Sequence, residues 1–127
     1  MVKLIFLFRR KSGTTFQQFR EYYEHNHVPL AVRLLPYFKS YRRNYIRHDQ
    51  DYRPSGTGRK VDFDVVTELT FASSGDYERM RQALSDPAVL GQIVRDEENF
   101  MDRSEEGRMM FFVDEEDSDA ETLNEGR

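Results

Sequence analysis

The stretch that decides the fold is Phe16-Gln-Gln-Phe-Arg-Glu-Tyr-Tyr-Glu-His-Asn-His-Val-Pro-Leu30. Its apolar positions recur at steps of three or four, which stacks side chains on one helical face. This stripe consists of Phe16, Phe19, Tyr23, His27, Leu30 and Leu34. His27 is therefore predicted to point toward the core. Because Pro29 cannot donate a hydrogen bond to the carbonyl of His25, we expect the helix to kink or loosen between His25 and Val28.

A strand and a helix cap precede this stretch. Residues 2–8 are apolar on both faces apart from Lys3, which predicts a strand covered on both sides. Thr15, with Gln18 three residues later, matches a capping box. The first helix is therefore predicted to start there and to end before Pro36.

The rest of the chain completes the order strand, helix, strand, strand, helix, strand. Strands are predicted over Tyr37–His48, Asp62–Phe71 and Met109–Val113, and helical segments over Ser74–Leu84 and Asp86–Glu97. This order predicts an α+β fold of the ferredoxin-like βαββαβ type, an antiparallel sheet with its helices on one face. The first and last strands are apolar on both faces, so the face without helices is expected to pack against a second copy in a two-fold dimer.

Acidic residues are concentrated at the C-terminal end. Residues 114–127 carry seven acids and one base, which leaves residues 1–113 with 16 acids and 18 bases. The sequence predicts one domain over residues 1–113, followed by a disordered acidic tail over residues 114–127. Residues 49–60 are predicted to form a polar loop that is longer than a hairpin requires.

Composition limits the partners and the compartment. The 127 residues include no cysteine, which excludes disulfides and thiolate zinc sites and fits the cytoplasm. The apolar run before Arg9 is too short for a signal-peptide core or a membrane span. Arginines and tyrosines alternate near Arg42 and Arg43, but the small net charge of residues 1–113 argues against nucleic acid. We expect no nucleic-acid partner, no membrane partner and no metal site.

Three motifs in series resemble the EthD-like family, named for ethyl tert-butyl ether degradation, within the dimeric α/β-barrel superfamily. They are Tyr23…His27…Pro29, the strand Asp64…Glu68-Leu-Thr-Phe71, and Asp96-Glu-Glu-Asn-Phe100-Met-Asp102. The resemblance covers roughly residues 2–114. It implies a ferredoxin-like homodimer with a small-molecule pocket between helices and sheet. By this likeness His27 is the pocket histidine, and the residues that accompany it are Tyr23, Glu68, Asp96, Glu97 and Phe100.

The predicted catalytic residues are His27, Asp64 and Glu68. A neutral imidazole can accept a proton from an acidic C–H or a phenol near neutral pH, although a buried histidine is also commonly satisfied by a backbone partner. Asp64 and Glu68 are expected to share one strand face. If a dimer encloses that face, burial favours their protonated forms and makes either a candidate acid; if water covers it, both are ordinary surface carboxylates.

Further side chains are candidate ligand contacts. Tyr41 and Tyr45 offer hydroxyl groups, or they pack as aromatic strand residues. The acidic run Asp96–Glu98 at a helix end contributes ligand contacts, or is solvated, or pairs with Arg95 or Arg103.

These features predict a dimeric barrel protein that binds a small apolar or aromatic organic molecule and needs no cofactor. The superfamily includes polyketide cyclases, lactone isomerases, decarboxylases and monooxygenases, so oxidation and lyase or isomerase chemistry both stay open, in catabolism or polyketide-type metabolism. Some relatives bind haem through a histidine, for which His27 is the candidate. The alternative function is a non-catalytic accessory or ligand-sequestering protein that assists an oxygenase pathway.

Overall fold

The computed structural model describes residues 1–50 and 60–121. Within these residues the strands are β1 Val2–Phe8, β2 Ser40–Tyr45, β3 Val65–Phe71 and β4 Arg108–Val113. The α-helices are α1 Phe16–Tyr22, α2 Val28–Leu34, α3 Ser74–Leu84 and α4 Pro87–Glu97. A π-helical turn, Tyr23–His27, joins α1 to α2, and a 3-10 turn, Glu105–Gly107, precedes β4.

The strands form one antiparallel sheet in the order β2-β3-β1-β4. This is the strand order of the ferredoxin-like βαββαβ arrangement, so the predicted α+β fold is confirmed. The capping box predicted at Thr15 is present, since Thr15 accepts a hydrogen bond from the Gln18 backbone and Gln18 accepts one from the Thr15 backbone. The cap of α3 is Ser73 rather than the predicted Ser74.

One face of the sheet packs against the helices and forms the core. Its residues belong to two clusters of buried side chains, which share Phe6 and Tyr41 at their margins. The first cluster contains Leu4, Leu35, Leu69, Phe71, Met80 and Ile93. The second contains Phe8, Phe19, Tyr23, Val65, Phe100 and Met101.

The opposite face, called here the outer sheet face, carries the alternate residues of each strand. The strand register places Ile5 beside Phe111, and Leu7 beside Met109 and Val66. Met109 and Phe111 expose 48% and 38% of their surfaces. An apolar strip therefore runs along β1 and β4 on the side away from the core.

Two strands are shorter than predicted. β2 covers Ser40–Tyr45 within the predicted Tyr37–His48, and β3 begins at Val65 rather than at Asp62. Turn and loop hydrogen bonds replace the strand at these ends, as in the bond from the Tyr37 amide to the Leu35 carbonyl. β4 ends at Val113, where the predicted domain ends. Of the predicted loop and tail, residues 51–59 and 122–127 lie outside the described residues.

Candidate functional site

An apolar cavity of about 270 Å³ lies between the sheet and helices α2 to α4. Most of its wall is hydrocarbon, from side chains that include Phe6, Leu35, Leu69, Met80, Ile93 and Met110. Polar atoms come from Tyr23, His27, Tyr41, Glu97, Arg103 and Arg108. The volume lies just under the ~300–1,000 Å³ that is usual for drug-sized ligands, so the cavity suits a small molecule.

The π-turn places His27 in the wall of this cavity. The buried positions of the helical stretch recur every four residues, at Phe19, Tyr23, His27, Ala31 and Leu35. Four residues of α-helix turn about 40° more than one full revolution, so an uninterrupted α-helix would carry this stripe away from the core. The wider π-turn absorbs the excess, with the Val28 amide bonded to the Tyr23 carbonyl. Pro29 falls in the first turn of α2, where its missing N–H is tolerated.

His27 is 5% exposed and is held by a carboxylate rather than by a backbone group. Its Nδ1 lies 2.8 Å from Oδ2 of Asp96, and the Tyr22 hydroxyl donates to Oδ1 of the same carboxylate at 2.8 Å. An ionised carboxylate only accepts hydrogen bonds, so the neutral imidazole carries its proton on Nδ1. Within the described residues no hydrogen bond reaches Nε2 of His27, which leaves its lone pair available at the cavity wall.

Two tyrosines of the cavity wall, Tyr23 and Tyr41, are linked to each other and to Thr67 by hydrogen bonds. Tyr41 donates to the Tyr23 hydroxyl at 2.9 Å, and the Tyr23 hydroxyl lies 2.9 Å from Oγ1 of Thr67. Burial raises the pKa of Tyr23 to about 12 and holds the pKa of Tyr41 well above its ordinary value. Both phenols therefore stay neutral at physiological pH and shape the wall around the imidazole.

The cavity also has a charged corner. Glu97 is 6% exposed, and its Oε1 accepts a hydrogen bond from Nε of Arg103 at 3.0 Å. The terminal nitrogen of Arg108 lies 3.7 Å from the same oxygen. Of the alternatives that the sequence left open for the acidic run, pairing with Arg103 is present at Glu97.

The other predicted site residues lie around or away from the cavity. Phe100 is buried behind His27, with ring centroids 5.1 Å apart. Tyr45 donates to Glu24 at 2.5 Å, beside α1. Burial and the neighbouring Glu24 raise the pKa of Tyr45. Tyr45 is not among the residues that line the cavity.

Asp64 and Glu68 do not join His27 in the single chain. Asp64 accepts from the Arg10 amide at 2.7 Å and lines a separate, more open cleft of about 670 Å³ at the end of the sheet. Glu68 lies on the outer sheet face, where its Oε1 is 2.6 Å from Nζ of Lys3. The hydrogen bond from Lys3 lowers the pKa of Glu68. In the single chain this carboxyl is therefore ionised at neutral pH and is not a proton donor.

Arg108 is a charged residue of the cavity wall that was not among the predicted site residues. The final strand was predicted from Met109, whereas β4 begins one residue earlier. The register pairs Arg108 with Phe8, whose side chain is core, so Arg108 lies on the core face. A charged residue in step with Met110 and Phe112 on an otherwise apolar strand was the available signal.

His27 is the histidine among the residues that line the cavity. Among residues 1–50 and 60–121, no group of three or more His, Cys, Asp or Glu could hold a metal ion. In the same part of the chain, no helix has both the length and the apolar character that a membrane crossing requires.

Solved structures with the same fold come from several organisms. An EthD family protein from Bacillus halodurans C-125 is 21% identical, with a TM-score of 0.59 over 91% of this chain and 99% of that one. A hydroxynitrile lyase from Passiflora edulis is 17% identical, with a TM-score of 0.56 over 92% and 96%. A dimeric ferredoxin-like protein from Jannaschia sp. CCS1 is 9% identical, with a TM-score of 0.54 over 89% and 97%. A comparison with curated proteins finds no match.

Fold and cavity together define a ferredoxin-like α+β protein with a histidine and a carboxylate at the wall of an apolar pocket. The EthD domain model matches residues 11–104, which is most of the chain. The chain therefore belongs to the EthD family.

Proposed function

We propose that this protein binds a small, mostly apolar organic molecule in the cavity and removes a proton from it with His27, without a cofactor. The observation that carries the proposal is the free Nε2 of His27 at the wall of an apolar cavity, with Nδ1 held by Asp96 at 2.8 Å. A positioned imidazole of this kind is the commonest general base in proteins.

Asp96 serves the proton transfer in two ways. Its hydrogen bond fixes the tautomer and the ring orientation, so that the Nε2 lone pair faces the bound molecule. When Nε2 takes a proton, the ring becomes an imidazolium next to a carboxylate, and the opposite charges attract. Tyr41 donates its hydroxyl proton to Tyr23, and the Tyr23 hydroxyl is held 2.9 Å from Oγ1 of Thr67. We therefore give them a role in packing the ligand rather than in moving protons.

The reaction class that fits this base is a lyase or isomerase reaction that begins with loss of a proton. The Passiflora edulis hydroxynitrile lyase has the same fold, which makes a lyase reaction an analogy of fold alone. We propose a cytoplasmic location, with which the absence of cysteine is compatible.

We further propose a homodimer in which the outer sheet faces of two copies pack together. The apolar strip of Ile5, Leu7, Met109 and Phe111 needs a cover, and the similar protein from Jannaschia sp. CCS1 is dimeric. In such a dimer Glu68 and Lys3 would lie near the partner sheet, and Glu68 would keep the predicted enclosed position.

Proton removal can be tested with a neutral ketone as probe. The protein is incubated with β-tetralone in deuterium oxide, and exchange of the C–H bonds next to the carbonyl is followed by proton NMR. We expect exchange with the unchanged protein, a loss of roughly a hundredfold or more in His27→Gln, and no loss in His25→Gln. His25 is the matched control because it is exposed and belongs to the same π-turn.

The same experiment separates the enzyme from a carrier. Binding of β-tetralone is measured in parallel by calorimetry, and folding of each variant by circular dichroism. Binding without any His27-dependent exchange would contradict proton transfer and favour the ligand-sequestering function. A folded His27→Gln variant that exchanges as fast as the unchanged protein would also contradict it.

A further inference from the structure

We propose that Arg108 and Arg103 form an anion subsite in the cavity, and that the natural ligand is an apolar molecule carrying one carboxylate. This inference rests on the proposed use of the cavity for a small organic molecule, but it does not depend on proton transfer by His27.

The first support is an unsatisfied donor. Arg108 lies on the core face of β4 and lines the cavity. Its Nε is buried, and no hydrogen-bond partner for it exists in residues 1–50 and 60–121. Its terminal nitrogen lies 3.8 Å from the sulfur of Met110, a weak acceptor, and 3.7 Å from Oε1 of Glu97, which is longer than a hydrogen bond. A buried N–H without a partner is unfavourable, so an acceptor supplied by a ligand would be bound strongly here.

The second support is the charge of this corner. Two guanidinium groups face one carboxylate, because Arg103 and Arg108 both approach Oε1 of Glu97, at 3.0 and 3.7 Å. Among the described residues, these two guanidinium groups thus share one carboxylate, which leaves a net positive charge beside an apolar wall. A cation in such surroundings favours a ligand with a single negative charge, and a guanidinium matches the geometry of a carboxylate.

The rest of the cavity wall indicates what the remainder of the ligand should be like. Apart from this corner and the polar groups around His27, the lining side chains are aliphatic, aromatic or thioether, among them Leu84, Leu90 and Val94. The expected ligand thus has an apolar body and one acidic head group. Its carboxylate would lie at Arg108, and its body would extend past His27.

Two probes of the same shape test the subsite. Hydrocinnamate and its neutral amide, hydrocinnamamide, are titrated by calorimetry into the unchanged protein, Arg108→Gln and Arg95→Gln. We expect the unchanged protein to prefer the acid roughly tenfold, as one charge-assisted hydrogen bond provides. In Arg108→Gln this preference for the acid over the amide should fall to within about twofold. Arg95→Gln should keep it, since Arg95 is exposed on α4.

Each result decides the proposal. Equal affinity for acid and amide in the unchanged protein overturns the subsite and leaves the proton transfer from β-tetralone standing. Binding of neither probe also overturns it. If Arg108→Gln does not fold, Arg103→Gln replaces it, because Arg103 is 30% exposed and lies outside the strands. A preference for the acid that survives Arg103→Gln then contradicts the proposal, whatever the result with β-tetralone.

Discussion

His27 Nδ1 and Asp96 Oδ2 lie 2.8 Å apart, although 69 positions separate the two residues in the chain. The pair joins the π-turn to the end of α4. We predict that Asp96→Asn keeps the fold but slows deuterium exchange of β-tetralone roughly a hundredfold or more. The amide of asparagine can donate to Nδ1, which would move the ring proton to Nε2 and block the lone pair at the cavity.

Glu98→Gln is the control for this substitution, because Glu98 is exposed at the C-cap of α4. Its exchange rate should match that of the unchanged protein. An Asp96→Asn variant within about twofold of the unchanged rate would show that the carboxylate does not orient the base.

If two copies pack through the outer sheet face, one charged substitution on that face should prevent the dimer from forming. Phe111→Glu places a carboxylate in the apolar strip, where a partner sheet would have to bury it. We expect light scattering after size exclusion to report two chains for the unchanged protein and one chain for this variant. Phe112→Glu is the matched control, since Phe112 is 58% exposed but lies on the other side of β4. A dimer that survives Phe111→Glu, or an unchanged protein that is monomeric, would refute this arrangement.

Glu24 is predicted to stabilise the fold in a pH-dependent way. Arg43 donates to it twice, at 2.9 and 2.7 Å, and this guanidinium lowers the pKa of Glu24 below its ordinary 4.5. We expect Glu24→Gln to lower the free energy of unfolding in urea by about 1–3 kcal/mol at neutral pH.

A lowered pKa means that the ionised form is favoured in the folded protein, so the contribution of Glu24 is present above about pH 4.5 and is lost as the pH falls below it. The difference between the unchanged protein and Glu24→Gln should therefore shrink in acid. Glu21→Gln, on an exposed position of α1, should change the unfolding free energy by less than about 0.5 kcal/mol at either pH. A gap that is the same in acid and at neutral pH would be inconsistent with this assignment.

The buried phenol of Tyr23 should make the free energy of unfolding depend on pH in alkali. Burial raises the pKa of Tyr23 from 10.0 to about 12, so the folded protein keeps this proton while the unfolded chain loses it. Stability from this group is complete below about pH 10 and decreases as the pH rises toward about 12. We expect the unfolding free energy to fall less steeply over this range in Tyr23→Phe than in the unchanged protein. Equal slopes would mean that Tyr23 ionises alike in both states.

Local patterns made part of this structure predictable. The capping box at Thr15, the weakening of the helix near Pro29 and the inward direction of His27 depend on residues within a few turns, and all three are present. The strand β3 was predicted for the same reason, since its buried positions alternate strictly from Val65 to Phe71.

Contacts between distant segments could not be predicted in the same way. The partner of His27 depends on how α4 packs against the π-turn, and the alternation of β3 gave no indication that the Asp64 carboxylate would bind the Arg10 amide at the end of the sheet. Arg108 became a cavity residue through the pairing of β4 with β1, which places it opposite Phe8. These are properties of the assembled sheet and helices rather than of any one segment.

The π-turn has a consequence for how this chain is matched to others. Five residues there span the arc that an α-helix would cover with about one fewer, so the turn acts as a single-residue insertion in the helical register. A relative with an unbroken helix must be aligned with a one-position gap between Tyr23 and His27. Without that gap every residue of α2 would be compared with a neighbour from the wrong side of the helix, and the counterpart of His27 would be misassigned.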